Sequence, residues 1–175
     1  MDDLQQGQLE AMTSLFNRYH GPIYRYFIKL SYDNMLGQDL TQQLFIKVYE
    51  KRETFSGHAG MFRPWIYRIA HNLWLDYLRV HAPKKKVTIE WKNDLDPEAH
   101  ESETEFGEED FERLNRTIEK LPDDLQQLII LHRYQGLRYG EIAQMLHSTE
   151  GAIKVRMHRA LKLLRELYFD TAKNM

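Results

Sequence analysis

The chain has 175 residues, 42% hydrophobic and 29% charged, with a formal net charge of −2 and no cysteine. This length accommodates one domain or two small ones, and the charge argues against a protein that holds nucleic acid by bulk electrostatics. Without cysteine, disulfides, thiol redox chemistry and thiolate metal sites are excluded. No apolar run reaches the roughly 20 residues of a membrane span. The start Met1-Asp2-Asp3 lacks the basic and then apolar pattern of a signal peptide, so a cytoplasmic protein without membrane insertion is expected.

The charge is partitioned along the chain. Residues 1–80 hold nine Lys/Arg against eight Asp/Glu, residues 81–112 four against eleven, and residues 113–175 eleven against seven. The middle block carries Pro83, Pro97 and an acidic run from Glu98 to Glu112, which is linker composition; from Glu108 onward it equally suits a solvated helix face. No internal repeat occurs, and no alternation is long enough to build a sheet. An all-α protein is expected, with small helical domains at 1–82 and 111–175 joined by an acidic linker at 83–110.

In the first domain, helices are expected near 9–30, 37–51 and 64–80. On the second, Leu40, Leu44 and Val48 form one apolar stripe, and Phe45 and Tyr49 form another, about 100° away. One stripe suffices for packing in a small domain. The surplus points to a protein partner or to a central helix buried on several sides. Gly57 and Gly60 then punctuate a loop, and Pro64 suits the first position of the third helix, where its missing N–H costs nothing. Ile66, Ile69, Ala70, Leu73 and Tyr77 form that helix's core stripe; Arg68, Asn72, Leu75 and Arg79 lie opposite. Phe55, Phe62, Trp65, Tyr67, Trp74 and Tyr77 surround it. Arginines interleaved with aromatics suit single-stranded nucleic acid, although most of these rings belong to the core. The Asn72 amide can read a base edge through its paired donor and acceptor.

In the second domain, helices are expected near 111–120, 123–134, 139–146 and 149–169. Pro122 with Asp123 and Asp124 marks a helix start, and Gly136 supplies a left-handed helix end. Gly140 to Thr149 reads as a short helix with small Ala143 at its middle and His147 in a tight turn; Thr149 or Ser148 caps the helix that follows. That last helix places Ile153, Met157, Ala160, Leu161, Leu164 and Leu167 on one arc. Between Gly151 and Arg165 it carries Lys154, Arg156, Arg159, Lys162, Arg165 and His158, and no acid. Opposite the apolar arc lie Lys154, Val155, His158, Arg159 and Lys162. Val155 can meet a thymine methyl. A short helix, a turn and a cationic helix suit a DNA major groove; the plainer reading of the basic face is a solvated surface. The phosphate-cradling loop ending in Gly-Lys-Ser/Thr is absent, and the eight histidines show no metal-ligand spacing. No cofactor, metal or enzymatic activity is expected.

At these residues the chain resembles the sigma-70 family of bacterial RNA polymerase initiation factors, and most of all its extracytoplasmic-function group, which keeps only regions 2 and 4. The stretch from Asp39 to Tyr49 resembles the region 2 helix that binds the β′ clamp helices of core RNA polymerase, implying contacts through Asp39, Gln42, Phe45 and Tyr49. Phe62 to Arg79 is similar to the segment that melts and reads the −10 promoter element. The resemblance implies roles there for Arg63, Trp65, Arg68, Asn72 and Arg79, with Asn72 holding a flipped base and Gly57, His58 and the loop up to Arg63 forming its pocket. Leu121-Pro122, Tyr139 to Ala143 and Gly151 to Ala160 resemble region 4, which binds the β flap and reads the −35 duplex, here through Lys154, Val155, Arg156, His158 and Arg159. The family usually has Gly where His147 stands, Ser where Val155 stands and Trp where Tyr49 stands. The resemblance further implies promoter DNA as partner, admits an anti-sigma factor, and lets the acidic linker mimic nucleic acid in the polymerase channels. Two other readings use the same residues: a dimeric helix-turn-helix regulator acting without polymerase, and an RNA-binding regulator.

Overall fold

The computed structural model describes residues 9–57, 59–81 and 108–173, and all regular structure among them is helical. Helix α1 (Leu9–Ser31) runs through Gly21 and Pro22 and is followed by α2 (Asn34–Glu50). Asp33 starts α2 three residues earlier than the apolar pattern indicates. Its carboxylate accepts from the backbone N–H groups of Met35 at 2.8 Å and Leu36 at 3.2 Å, satisfying donors that have no partner within the helix. The α1–α2 crossing is tight at Gly37, where a Cβ would lie 2.8 Å from Ile28 Cγ1. The variant Gly37→Val is therefore expected to lose about 1–3 kcal/mol through overpacking, read as a lower midpoint in denaturant unfolding.

Helix α3 spans Ala59–His81, so the expected start at Pro64 is corrected: the proline lies inside the helix. Its missing N–H forgoes the bond to the Gly60 carbonyl. Packing of the preceding turn compensates, because Phe62 is buried with its ring 5.8 Å from Phe55 and 5.6 Å from Trp65. Of the two glycines assigned to the loop, only Gly57 is outside the helix. The core of this half is built by Ile23, Tyr26 and Phe27 of α1, Leu40, Leu44 and Val48 of α2, and Ile66, Ile69, Ala70 and Leu73 of α3. Each large aliphatic side chain so buried contributes about 1.5–3 kcal/mol.

The second half contains α4 (Glu108–Ile118), α5 (Asp123–Ile129), α6 (Tyr139–Met145) and α7 (Glu150–Lys173). The helix expected over 123–134 keeps its length but changes pitch: Ile130–Tyr134 is a wider π-type turn, ended by Gly136 at φ 64°. His147 also has positive φ, 50°. Around it the N–H of Ser148 donates to the Ala143 carbonyl at 2.9 Å and the N–H of His147 to that of Gln144 at 3.4 Å, the paired bonds of a Schellman helix end. Thr149, not Ser148, caps α7 by accepting from the Ala152 N–H at 3.2 Å. Buried side chains of both halves belong to one apolar cluster. Of the linker expected at 83–110, the part up to residue 107 lies outside the described residues, and the last three residues begin α4.

Candidate nucleic-acid interface

Three faces and one seam carry the chemistry. The first face is on α7. Ile153, Met157, Ala160 and Leu164 are buried, and Leu161 and Leu167 pack partly against them, so the apolar arc is satisfied. Lys154 is exposed and pairs one helical turn back with Glu150 at 2.8 Å, which raises the pKa of its ammonium. Such an exposed pair is weak in water and exchanges readily for a phosphate. Val155, Arg156, His158 and Arg159 are half-buried. Arg156 also reaches the Asp124 carboxylate at 3.4 Å, which ties α7 to the first turn of α5. Ala143 is buried on α6, the shorter helix of the helix-turn-helix.

The second face is on α3. Asn72 and Arg79 are exposed, Arg79 pairing with Asp76 at 2.9 Å. Arg63 and Arg68 are half-buried. Trp65 is 8% exposed and packed on Phe55 and Phe62, in line with most of these rings belonging to the core, and it also lines a pocket. That pocket, of about 140 Å³, is lined by Gly57, Met61, Pro64, Trp65, Arg68 and others, and by Gln144 and Met145 of α6. Gly57 is needed beside it, because a Cβ there would fall 2.7 Å from Met61 Cβ. His58 lies outside the described residues.

The third face is on α2. Asp39, Gln42 and Tyr49 are exposed and share one side of the helix. Phe45 is 5% exposed with its ring 4.8 Å from Phe16, so its expected place on the docking surface is corrected to the core. Ile46, 59% exposed, lies on the same side of the helix as Asp39, Gln42 and Tyr49 and was not singled out from the sequence. It belongs to neither apolar stripe, and an isoleucine on the polar side of a helix was the available signal.

The seam joins the halves and was not read from the sequence. The Arg63 guanidinium donates to the Gln135 carbonyl and lies 3.9 Å from the Glu141 carboxylate. Tyr67 Oη donates to Gln135 Oε1 at 2.8 Å, and Arg68 Nη1 meets His147 Nε2 at 2.9 Å. His71 Nδ1 meets Gln127 Oε1 at 2.6 Å, and Gln127 Nε2 donates to Tyr26 Oη at 2.6 Å. Because an amide oxygen only accepts, His71 donates there through Nδ1–H. Burial, and then the nearby Arg156, lower the His71 pKa against the opposing bond to Gln127. Burial pushes the Tyr67 phenol up to about 12, so it stays a donor. Further along, Lys29 Nζ donates to Asn115 Oδ1 at 2.9 Å and Gln126 Nε2 to Tyr32 Oη at 3.3 Å. The signal for the seam was Gln126-Gln127 within the run from Leu125 to Leu131, polar residues at buried positions.

Among the described residues no cluster of His, Asp and Glu could hold a metal ion, and no helix is long and apolar enough to cross a membrane.

Comparison with known proteins places these faces in a context. The family described as Sigma-70 region 2 matches residues 15–83, and Sigma-70, region 4 matches residues 111–164. The chain is 30% identical over 173 residues to the ECF RNA polymerase sigma-E factor of Haemophilus influenzae, covering 94% of this chain and 90% of that protein. It is 27% identical over 165 residues to the ECF RNA polymerase sigma factor SigM of Bacillus subtilis, covering 90% and 95%. Its fold resembles the sigma factor RpoE of Bartonella quintana, solved with the anti-sigma factor NepR, at TM-score 0.65 and 20% identity over 90% of this chain and 96% of that one.

Proposed function

Because this chain belongs to the extracytoplasmic-function group of the sigma-70 family, we propose that its three faces divide the work of promoter recognition. The protein directs core RNA polymerase to promoters in transcription initiation. In our reading Asp39, Gln42, Ile46 and Tyr49 dock α2 on the β′ clamp helices, and the second half meets the β flap. Gly57, Arg63, Arg68, Asn72 and Arg79 engage the −10 strand as it opens. Lys154, Val155, Arg156, His158 and Arg159 face the −35 duplex. The chain then acts in the cytoplasm, without cofactor or catalytic group of its own, and an anti-sigma factor is a natural partner, as NepR is for the Bartonella protein.

The observation that carries this reading is the coexistence of a partly apolar exposed face on α2 and a cation–amide face on α3 with a capped helix-turn-helix. A net charge of −2 fits a subunit that binds DNA weakly alone and specifically once docked, since few phosphates can be neutralised without the polymerase. Run-off transcription from genomic DNA with core polymerase tests it: discrete starts appear only when the chain is added. A gel shift separates the dimeric-regulator reading, which requires specific binding without core enzyme. Within this reading Lys154→Ala removes one phosphate contact. Holoenzyme affinity for promoter DNA is expected to fall across promoter sequences, with the salt slope reduced by about 1. An unchanged slope would remove Lys154 from the interface.

A further inference from the structure

The first turn of α7 holds an acid that none of the three faces uses. From Glu150 to Arg165 the helix carries five Lys/Arg and His158, and Glu150 is its one acid. Thr149 caps this turn by accepting from the Ala152 N–H at 3.2 Å, which fixes Glu150 as the first residue of the helix. Lys154 and His158 follow it at intervals of four, on one stripe. The Glu150 side chain is exposed, and one carboxylate oxygen holds Lys154 Nζ at 2.8 Å. The other oxygen borders α6, where a Cβ on Gly140 would lie 3.4 Å from it. Glu150 and Lys154 thus stand on the wall of an open cleft of about 550 Å³ that His132, Tyr139 and Gln144 also line.

A recognition helix in the major groove presents its first residues to base edges. An acid there meets the field of the phosphates while losing water, and it is tolerated only with a donor at hand. In the free chain Lys154 is that donor. In the −35 complex Lys154 turns to a phosphate, and the carboxylate needs a replacement. Base edges in the major groove offer two, the N4 amine of cytosine and the N6 amine of adenine. Adenine sets its N7 acceptor beside N6, and that lone pair repels the second carboxylate oxygen. Guanine and thymine present only acceptors there. Resting on the proposed function, we infer that Glu150 is a specificity-determining residue of the −35 contact, accepting from cytosine N4 at one base pair. At any other base the released carboxylate is left facing an acceptor, so the residue acts as much by rejecting wrong pairs as by holding the right one.

Base preference tests this. Holoenzyme is assembled with the parent chain, Glu150→Gln and Glu150→Ala. Its affinity is measured for duplexes of a mapped promoter in which each −35 position carries all four bases in turn. The parent is expected to prefer cytosine at one position by about 5- to 150-fold, the effect of one mismatched pair. Glu150→Gln is expected to move the preference at that position alone to adenine, because an amide pairs with both N6 and N7. Glu150→Ala is expected to level the four bases there. An acid that only favours the helix start through the macrodipole, or only holds Lys154, leaves the order of bases unchanged when it is replaced, and affinity then shifts equally for every duplex. That result overturns the inference. If the chain does not assemble with core polymerase, or no promoter can be mapped, the functional reading has failed by itself. Selection of duplexes from a random pool by the full chain alone then decides. A change from cytosine to adenine between parent and Glu150→Gln supports the assignment; pools that agree, or that show no preference, overturn it.

Discussion

Replacing Ile46 by aspartate and Tyr49 by alanine together is expected to weaken association with core RNA polymerase by at least about 30-fold, two interface anchors each contributing about 1–2 kcal/mol or more. The side chains are 59% and 40% exposed, so unfolding midpoints should barely move, surface changes costing within about 0.5 kcal/mol. Phe45→Ala is the internal contrast. Its ring is in the core against Phe16, and truncation should cost about 3–5 kcal/mol of stability, with loss of binding only in step with loss of folded protein. Fluorescence titration of labelled chain with core enzyme, beside denaturant unfolding of each variant, separates the two. Full affinity in the Ile46/Tyr49 variant would take the docking face off this side of α2.

The second large effect concerns DNA opening. Asn72→Ala is expected to leave core binding and unfolding unchanged, because the side chain is exposed. Open complexes should fall about 5- to 150-fold, the range of one base contact at about 1–3 kcal/mol. Permanganate reactivity of thymines in the melted segment measures this directly. Lys154→Ala differs by lowering affinity for the closed duplex upstream. Equal permanganate reactivity in Asn72→Ala and the parent chain would mean that the amide reads nothing there. Arg68 is a poorer choice for the same test. Its guanidinium is shared with His147, so its removal loosens the seam while it removes a cation from the strand.

Much of the local structure that carries the candidate site was legible because its signals are short-range. His147 could be placed in a turn and Thr149 at a cap from their chemistry, and both are there, with His147 at φ 50° and the cap bond at 3.2 Å. The arc from Ile153 to Leu167 follows from helical period alone. The errors share one cause. Phe45 and Ile46 are adjacent, and no local rule says which of them α1 covers; Phe16 and His20 settle it by packing on the Phe45 ring. Pro64 was a sound start signal, overridden because Phe62 and Phe55 pack the turn before it. Trp65 belongs to that same cluster, which is why its ring is inside.

From the chain of residues alone came the all-α class, the two helical halves, the helix-turn-helix with its turn and cap, and the polar face of Asn72. All of these depend on periodicity and capping within a few turns of helix. Tertiary structure decided which apolar residues of α2 face outward, where α3 begins, and that the two halves close on each other. The last rests on bonds such as Arg68 to His147, 79 residues apart, and His71 to Gln127, 56 apart. Groups so distant in sequence are brought together only by tertiary packing, and even the Gln126-Gln127 signal does not say which residues it will meet.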